Sequence, residues 1–275
     1  MFGDPGDNGP FGSPFGTIAA GSGTLSTGFG QSGTVMTVHT PITLPGGDWR
    51  LIDNETNASI SNTPGSAGNY FILEIGSGAT IAPGNGNDLI ADVGGGATID
   101  AGNGNMVITA GGTDNVITAG TGNDAFVLGA PTPPSEHEGH NQGSVPITAD
   151  TLTLGNGRNV VGFGGSGNTV YDGTGTDVVF GAGGGNDTFA LNAGGGKLTI
   201  GGFSLTNGDV LDLSQILPGV TDSSLSSYVT LTSHAHHHHV VDTVLTISNG
   251  GVTDKVTLLN SGSITLSSLE NSLHL

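Results

Sequence analysis

Residues 81–126 read IAPGNGNDLIADVGGGATIDAGNGNMVITAGGTDNVITAGTGNDAF, and this stretch decides the fold. Its inward-type apolar residues fall at Ile81, Ile90, Ile99, Ile108, Ile117 and Phe126, and every step is nine residues. Glycine, asparagine, aspartate and other small residues fill most of the intervals. A helix has no use for such a register, because each interior glycine costs about 1 kcal/mol relative to alanine. A turn, a short strand and another turn do fit it. The glycines supply positive φ or close backbone approach in the turns, and the single apolar side chain points into a narrow core. Units of this kind cannot bury their apolar side alone, so they must stack. The expected fold is all-β: a parallel β-roll or β-solenoid with Gly-rich turns.

Outward from this stretch, the series resumes at Leu152, Val161, Val170 and Val179, then Phe189 after one inserted residue, then Leu198. The organisation read from these breaks is a Gly/Pro-rich N-terminal arm at 1–45 and a first solenoid section at 46–130, led in by Trp49 and the alternating run YFILEI at 70–75. An acidic, Pro-rich loop at 131–146, a second section at 147–203 and a small β-rich cap at 204–275 follow. The arm spaces Phe2, Phe11, Phe15, Ile18, Phe29 and Val35 too thinly to offset its own ordering entropy. A stretch such as 33–39 then either lies along its own solenoid or adds as a strand to a neighbouring subunit. A head-to-tail contact that does not close propagates as a filament.

Composition agrees with a thin core. Glycine supplies 52 of 275 residues, and the 34% that are hydrophobic are scattered singly between them. Four basic residues face 23 acidic ones, a formal net charge of −19, so nucleic acid is excluded as a partner for want of clustered Lys and Arg. The excess is either a solubilising surface or a set of carboxylates awaiting a cation. There is no cysteine, hence no disulfide framework. No run of eighteen apolar residues occurs, so no membrane span is expected. The stretch 1–16 has neither a basic n-region nor an apolar h-region, so a Sec-type leader is not expected either.

The repeat carries a motif as well as a period. Residues 84–90 (GNGNDLI), 120–126 (GTGNDAF), 173–179 (GTGTDVV) and 183–189 (GGGNDTF) all fit G-x-G-x-D-x-U. In this they resemble the calcium-binding nonapeptide (RTX) repeats of type I-secreted bacterial proteins. The resemblance implies a parallel β-roll with two nonapeptides per coil and calcium between stacked turns, held by Asp carboxylates and turn carbonyls. A hard cation wanting six to eight oxygens suits that arrangement. On one side of such a roll Met106 interrupts Asp88 and Asp124; on the other, Ala97 and Asn115 stand at the equivalent positions. In the second section Asn159 pairs with Asp177 and Asn168 with Asp187. Calcium is therefore expected foremost near Asp177 and Asp187, with Asn159 and Asn168, and then at Asp88 and Asp124. Asn87, Asn105 and Asn123, and likewise Asn85, Asn103 and Thr121, recur at eighteen-residue spacing and predict side-chain ladders along the solenoid. Flat Thr/Asn arrays of that sort also occur on ice-binding β-rolls.

The tail adds a second resemblance. LTIGGF at 198–203 and NGDVLDLS at 207–214, with later strands at 243–247 and 255–259 and the ending at 266–275, are similar to the segment and C-terminal export signal of type I secretion substrates. This implies type I secretion machinery as a partner and an extracellular, cell-surface-associated location. A purely structural reading has Asp209 and Asp212 capping a turn and a short helix.

Other chemistry is sparse. In the run His234, His236, His237, His238 and His239, a strand presents His234, His236 and His238 on one face, a set of imidazoles suited to zinc, nickel or copper. Exposed histidine tracts also bind such metals adventitiously. Glu136, His137, Glu138 and His140 form a smaller version. No G-x-S-x-G, H-E-x-x-H or cysteine nucleophile is present, so no enzyme is expected. The functional expectation is a secreted structural protein that self-assembles head-to-tail into a filament, biofilm matrix fibre or surface layer, with calcium-dependent folding. The alternative is a monomeric secreted module that binds calcium, a surface or ice.

Overall fold

A computed structural model describes residues 16–18, 23–24, 33–36, 41–44, 46–65, 67–129, 148–181, 184–235, 241–262, 264–270 and 273–275. As far as Val210–Asp212, successive strands alternate between two parallel ladders; with the C-terminal strands included, sheet 1 has thirteen strands and sheet 2 eleven among the described residues. One strand of each makes a coil. In sheet 1, Ile72, Ile90, Ile108, Phe126, Val161 and Val179 stack in register. In sheet 2 the row is Ile60, Ile81, Ile99, Ile117, Leu152, Val170 and Phe189. All of these side chains are buried, so two nonapeptides form one coil and the nine-residue register is the core. Ile117 pairs with Leu152 and Phe126 with Val161, so the insertion at 131–146 leaves the stack unbroken.

Glycine is obligatory where turns stack. A Cβ on Gly104 would lie 1.5 Å from Gly86 O, and one on Gly122 would lie 1.6 Å from Gly104 O. Only a residue without a side chain lets the backbones approach this closely.

Both ladders extend into the stretch assigned to the arm. Gly16–Ile18 pairs with Gly33–Met36, which pairs with Trp49–Asp53, and Gly23–Thr24 pairs with Ile42–Leu44. Strand addition to a neighbour through 33–36 is thereby overturned. That strand has partners from its own chain on both edges, which leaves no ladder for a second subunit. At the other end, Val252–Leu259 stacks on Lys197–Gly201 and then turns into an antiparallel meander with Val241–Asn249 and Val229–Ala235. The short helix Leu266–Leu269 starts at Thr265, whose Oγ1 accepts the Ser268 N–H at 3.1 Å. Leu273–His274 then ends sheet 2 beside Val210–Asp212. An edge this short offers little to further strands. Among the described residues no helix is long and apolar enough to cross a membrane.

Candidate functional site

Where a turn enters a strand, the N–H of the first inward residue points along the solenoid axis, and a buried N–H must find an acceptor. Here a side chain of the next coil supplies it. In sheet 1, Asp88 Oδ1 accepts the Tyr70 N–H at 2.7 Å and Asp124 Oδ1 that of Met106 at 2.8 Å. Asn159 Oδ1 accepts from Asp124 at 3.1 Å, and Asp177 Oδ1 accepts both the backbone N–H and the Nδ2 of Asn159 at 3.0 and 2.9 Å. In sheet 2, Asn115 accepts from Ala97, Asp150 from Asn115, Asn168 from Asp150, Asp187 from Asn168 and Asp209 from Asp187, at 2.9–3.1 Å. The six residues singled out for calcium thus fall into these two columns, four in sheet 1 and two in sheet 2, all buried. The Asn159–Asp177 and Asn168–Asp187 pairings are direct hydrogen bonds.

The second oxygens of these carboxylates define the electrostatics. Asp88, Asp124, Asp150 and Asp177 each keep a buried Oδ2 without a hydrogen-bond partner. Burial disfavours the charged form. It pushes Asp88, Asp150 and Asp187 up to about 6 and raises Asp124, Asp177 and Asp209 as well. One inward step further along sheet 1, Asp53, Glu74 and Asp92 stack on adjacent strands. Burial, and then the charges of Asp53 and Asp92, push Glu74 up to about 7, while Glu74 Oε1 accepts the Gly76 N–H at 2.7 Å. The same row continues as Ala110, Leu128 and Phe163, so its acidic part is confined to the N-terminal coils.

The densest oxygen cluster surrounds Asp172 and Asp177. Burial, and then the Asp177 carboxyl within hydrogen-bonding range, push Asp172 up to about 8. Asp172 Oδ1 and Asp177 Oδ2 have no donor. Two carboxylates cannot donate to each other, so a proton or a cation between them is what satisfies the pair. A Cβ on Gly196 would lie 2.8 Å from Gly173 O and 3.3 Å from Asp172 Oδ2, which shows how closely these oxygens converge. Asp254 Oδ1, which accepts the Gly195 and Gly196 N–H groups at 2.7 and 2.8 Å, adds negative charge nearby. This donor set fits a hard cation: Asp172 and Asp177 with the carbonyls of Gly173 and Gly175. Asp88 and Asp124 fit less well, because Met106 separates them and no second carboxylate of the column joins either. Among the described residues no group of three or more His, Cys, Asp or Glu side chains is arranged to hold a metal, so any ion here relies on main-chain oxygens.

The outward amide ladder forms as the spacing predicts. Asn105 donates to Asn87 Oδ1 at 3.0 and 3.1 Å, Asn123 to Asn105 at 2.9 Å, and Thr121 Oγ1 to Asn103 Oδ1 at 3.1 Å. Asp212 caps a turn by accepting the Ser214 N–H at 2.9 Å; Asp209 caps Ser204 at 2.8 Å but also belongs to the inward column. His234 is exposed and pairs across the meander with Asp242. His236 and His238, like His237, His239 and the 136–140 cluster, lie outside the described residues. Asp150, Asp172 and the Glu74–Asp92 pair escaped the sequence reading. The eighteen-residue step back from Asn168 reaches Asp150, and the same step links Glu74 to Asp92, each two residues beyond an inward isoleucine. No protein family, curated protein or solved structure matches the chain.

Proposed function

We propose that this chain is a secreted, non-enzymatic structural solenoid whose coils tighten when calcium neutralises inward carboxylates. The observation that carries the reading is the set of buried carboxylate oxygens without donors, led by Asp172 and Asp177, in a chain of net charge −19. In a calcium-poor interior these groups oppose compaction. At the calcium levels to which extracellular modules are tuned, roughly 10⁻⁴–10⁻³ M, an ion that binds only the folded form stabilises it by mass action. The tail's resemblance to type I export signals supports delivery to the outside, and the stacked geometry suits assembly into a fibre or surface layer. Calcium titration followed by circular dichroism and hydrogen exchange tests this. Protection should rise on calcium addition, most of all at 148–203, and identical exchange with calcium and with chelator would exclude it.

One observation favours the alternative of a monomeric binding module. Thr80, Thr98, Thr151, Thr169 and Thr188 align on the outer face of sheet 2, interrupted only by Val116. A flat threonine column supports surface or ice binding. Inhibition of ice recrystallisation that is lost on Thr151→Asp would favour that reading over the structural one.

A further inference from the structure

The outer face of sheet 1 differs from the rest of the molecule. Of the ten large apolar side chains left exposed among the described residues, seven lie on it: Ile75, Leu89, Val93, Val107, Val127, Val160 and Phe180, each 42–58% exposed. They form columns running along the solenoid. Phe71, Leu89, Val107, Ala125, Val160 and Val178 are in register, as are Leu73, Ala91, Thr109, Val127, Gly162 and Phe180. Neither column contains a carboxylate. All four basic residues of the chain border this face: Arg50 stands at the head of the first column, and Arg158, Lys197 and Lys255 lie along its flank. The flank begins at Asp48, whose Oδ1 accepts from Asn69 in the outward amide column. Flat apolar surface of this extent marks an interaction site.

We infer that two copies of this chain pair through the outer faces of sheet 1, about a two-fold axis parallel to the strands. Eight strands about 4.8 Å apart and seven residues rising about 3.3 Å each make a face on the order of 34 by 20 Å. Two such faces cover on the order of 1,300 Å², within the roughly 1,200–2,000 Å² of stable specific interfaces. Charge selects the partner and the axis. The two columns of this face carry no carboxylate, so a second copy of this −19 chain can lie on it without opposing like negative charges there. With the axis between the strands Val107–Ala110 and Ala125–Leu128, Val107 meets the partner's Ala125, Leu89 the partner's Val160 and Phe180 the partner's Leu73. The same operation sets Asp48 against the partner's Lys197, twice by symmetry, and both residues are exposed in the single chain. An axis along the solenoid opposes no unlike charges. The pairing is closed and lateral, so it is independent of the fibre or surface-layer assembly proposed above.

Sedimentation velocity of the full chain in calcium, across a concentration series, tests the pairing. The wild type should dimerise, and Val107→Lys with Val160→Lys should sediment as a folded monomer by circular dichroism. Thr151→Lys with Thr169→Lys, on the outer face of sheet 2, should still dimerise. Lys197→Asp should weaken the dimer about threefold to tenfold, as expected for exposed rim pairs, and adding Asp48→Lys should restore it. A monomeric wild type at every concentration overturns the inference, including one that instead floats with phosphatidylcholine vesicles. So does a charge swap that fails to restore the dimer, or a polymer that Val107→Lys with Val160→Lys leaves unchanged. That last result would leave the self-assembly reading intact and remove only this face from it.

Discussion

Replacing Asp88 by Asn separates what that residue does for the ladder from what its charge does. Asn keeps the Oδ1 that accepts the Tyr70 N–H at 2.7 Å, and it replaces the partnerless Oδ2 with an amide that does not ionise. Burial raises Asp88 from 3.8 to about 6 in the folded chain. At about 1.4 kcal/mol per pH unit this caps the penalty of the buried charge near 3 kcal/mol. Partial screening, which holds even at buried sites, brings the expected cost to about 1–2 kcal/mol. The sign follows from proton counting. The folded state holds the proton longer, so the Asp88 contribution to stability is fully present below about pH 4, is lost as pH rises to about 6 and stays lost above that. The Asn variant has no such loss, so without calcium it should melt about 2–8 °C above wild type at pH 8, taking about 2–4 °C per kcal/mol for a chain of this size. Below pH 4 the gain should vanish. Thermal unfolding by circular dichroism in chelator, at both pH values, reads this directly. An Asn variant that melts lower than wild type by the same margin at both would refute the reasoning, because the Asp88 charge would then carry no penalty.

Three further outcomes are expected. Gly122→Ala should prevent correct stacking, since its Cβ would overlap Gly104 O, whereas Gly162→Ala, with no atom within 4 Å of its Cβ, should leave the melting temperature within a few degrees. Ile108→Ala opens a cavity in the fully buried row and should cost about 2–5 kcal/mol, read by denaturant unfolding. Deleting 260–275 should retain the protein inside a host that carries a matching type I system, with secretion scored by immunoblot of the medium; normal export would remove the inference drawn from the tail.

The solenoid's middle was legible because its coils have equal length. Residues eighteen apart stack, so the core isoleucines and the Asn87–Asn105–Asn123 ladder could be read by counting. The first coils could not. Gly16 pairs with Gly33, Gly33 with Trp49 and Trp49 with Tyr70, at unequal steps, because turns of different length carry strands of the same register. Period detection fails there although the fold continues. The apolar outer face was hidden for a different reason. Leu89, Val107 and Val160 each sit one residue before an inward side chain, and a one-dimensional count of bulky residues assigns them to the same core. Only the alternation of the built strand separates the two faces.

The inward columns show why aspartate and asparagine interchange along this chain. Closing a turn requires one side-chain oxygen aimed at the N–H of the preceding coil, and Asn115, Asn159 and Asn168 supply it as well as Asp88 or Asp124 do. The ladder alone therefore selects no charge, and burial selects against one. Aspartates that persist at 88, 124, 150, 177, 187 and 209 hold something the ladder does not ask for. In four of them that surplus is an Oδ2 buried without a donor. Where a second carboxylate comes within reach, as Asp172 does at Asp177, the surplus becomes a pair that only a proton or a cation can complete. A motif match weighs all these aspartates equally, whereas the folded chain distinguishes a lone buried carboxylate, which titrates, from a facing pair, which can hold an ion. Calcium dependence should accordingly follow Asp172 and Asp177 rather than the number of G-x-G-x-D matches. Asp172→Asn should abolish the calcium-induced protection of 148–203, while Asp124→Asn leaves it in place.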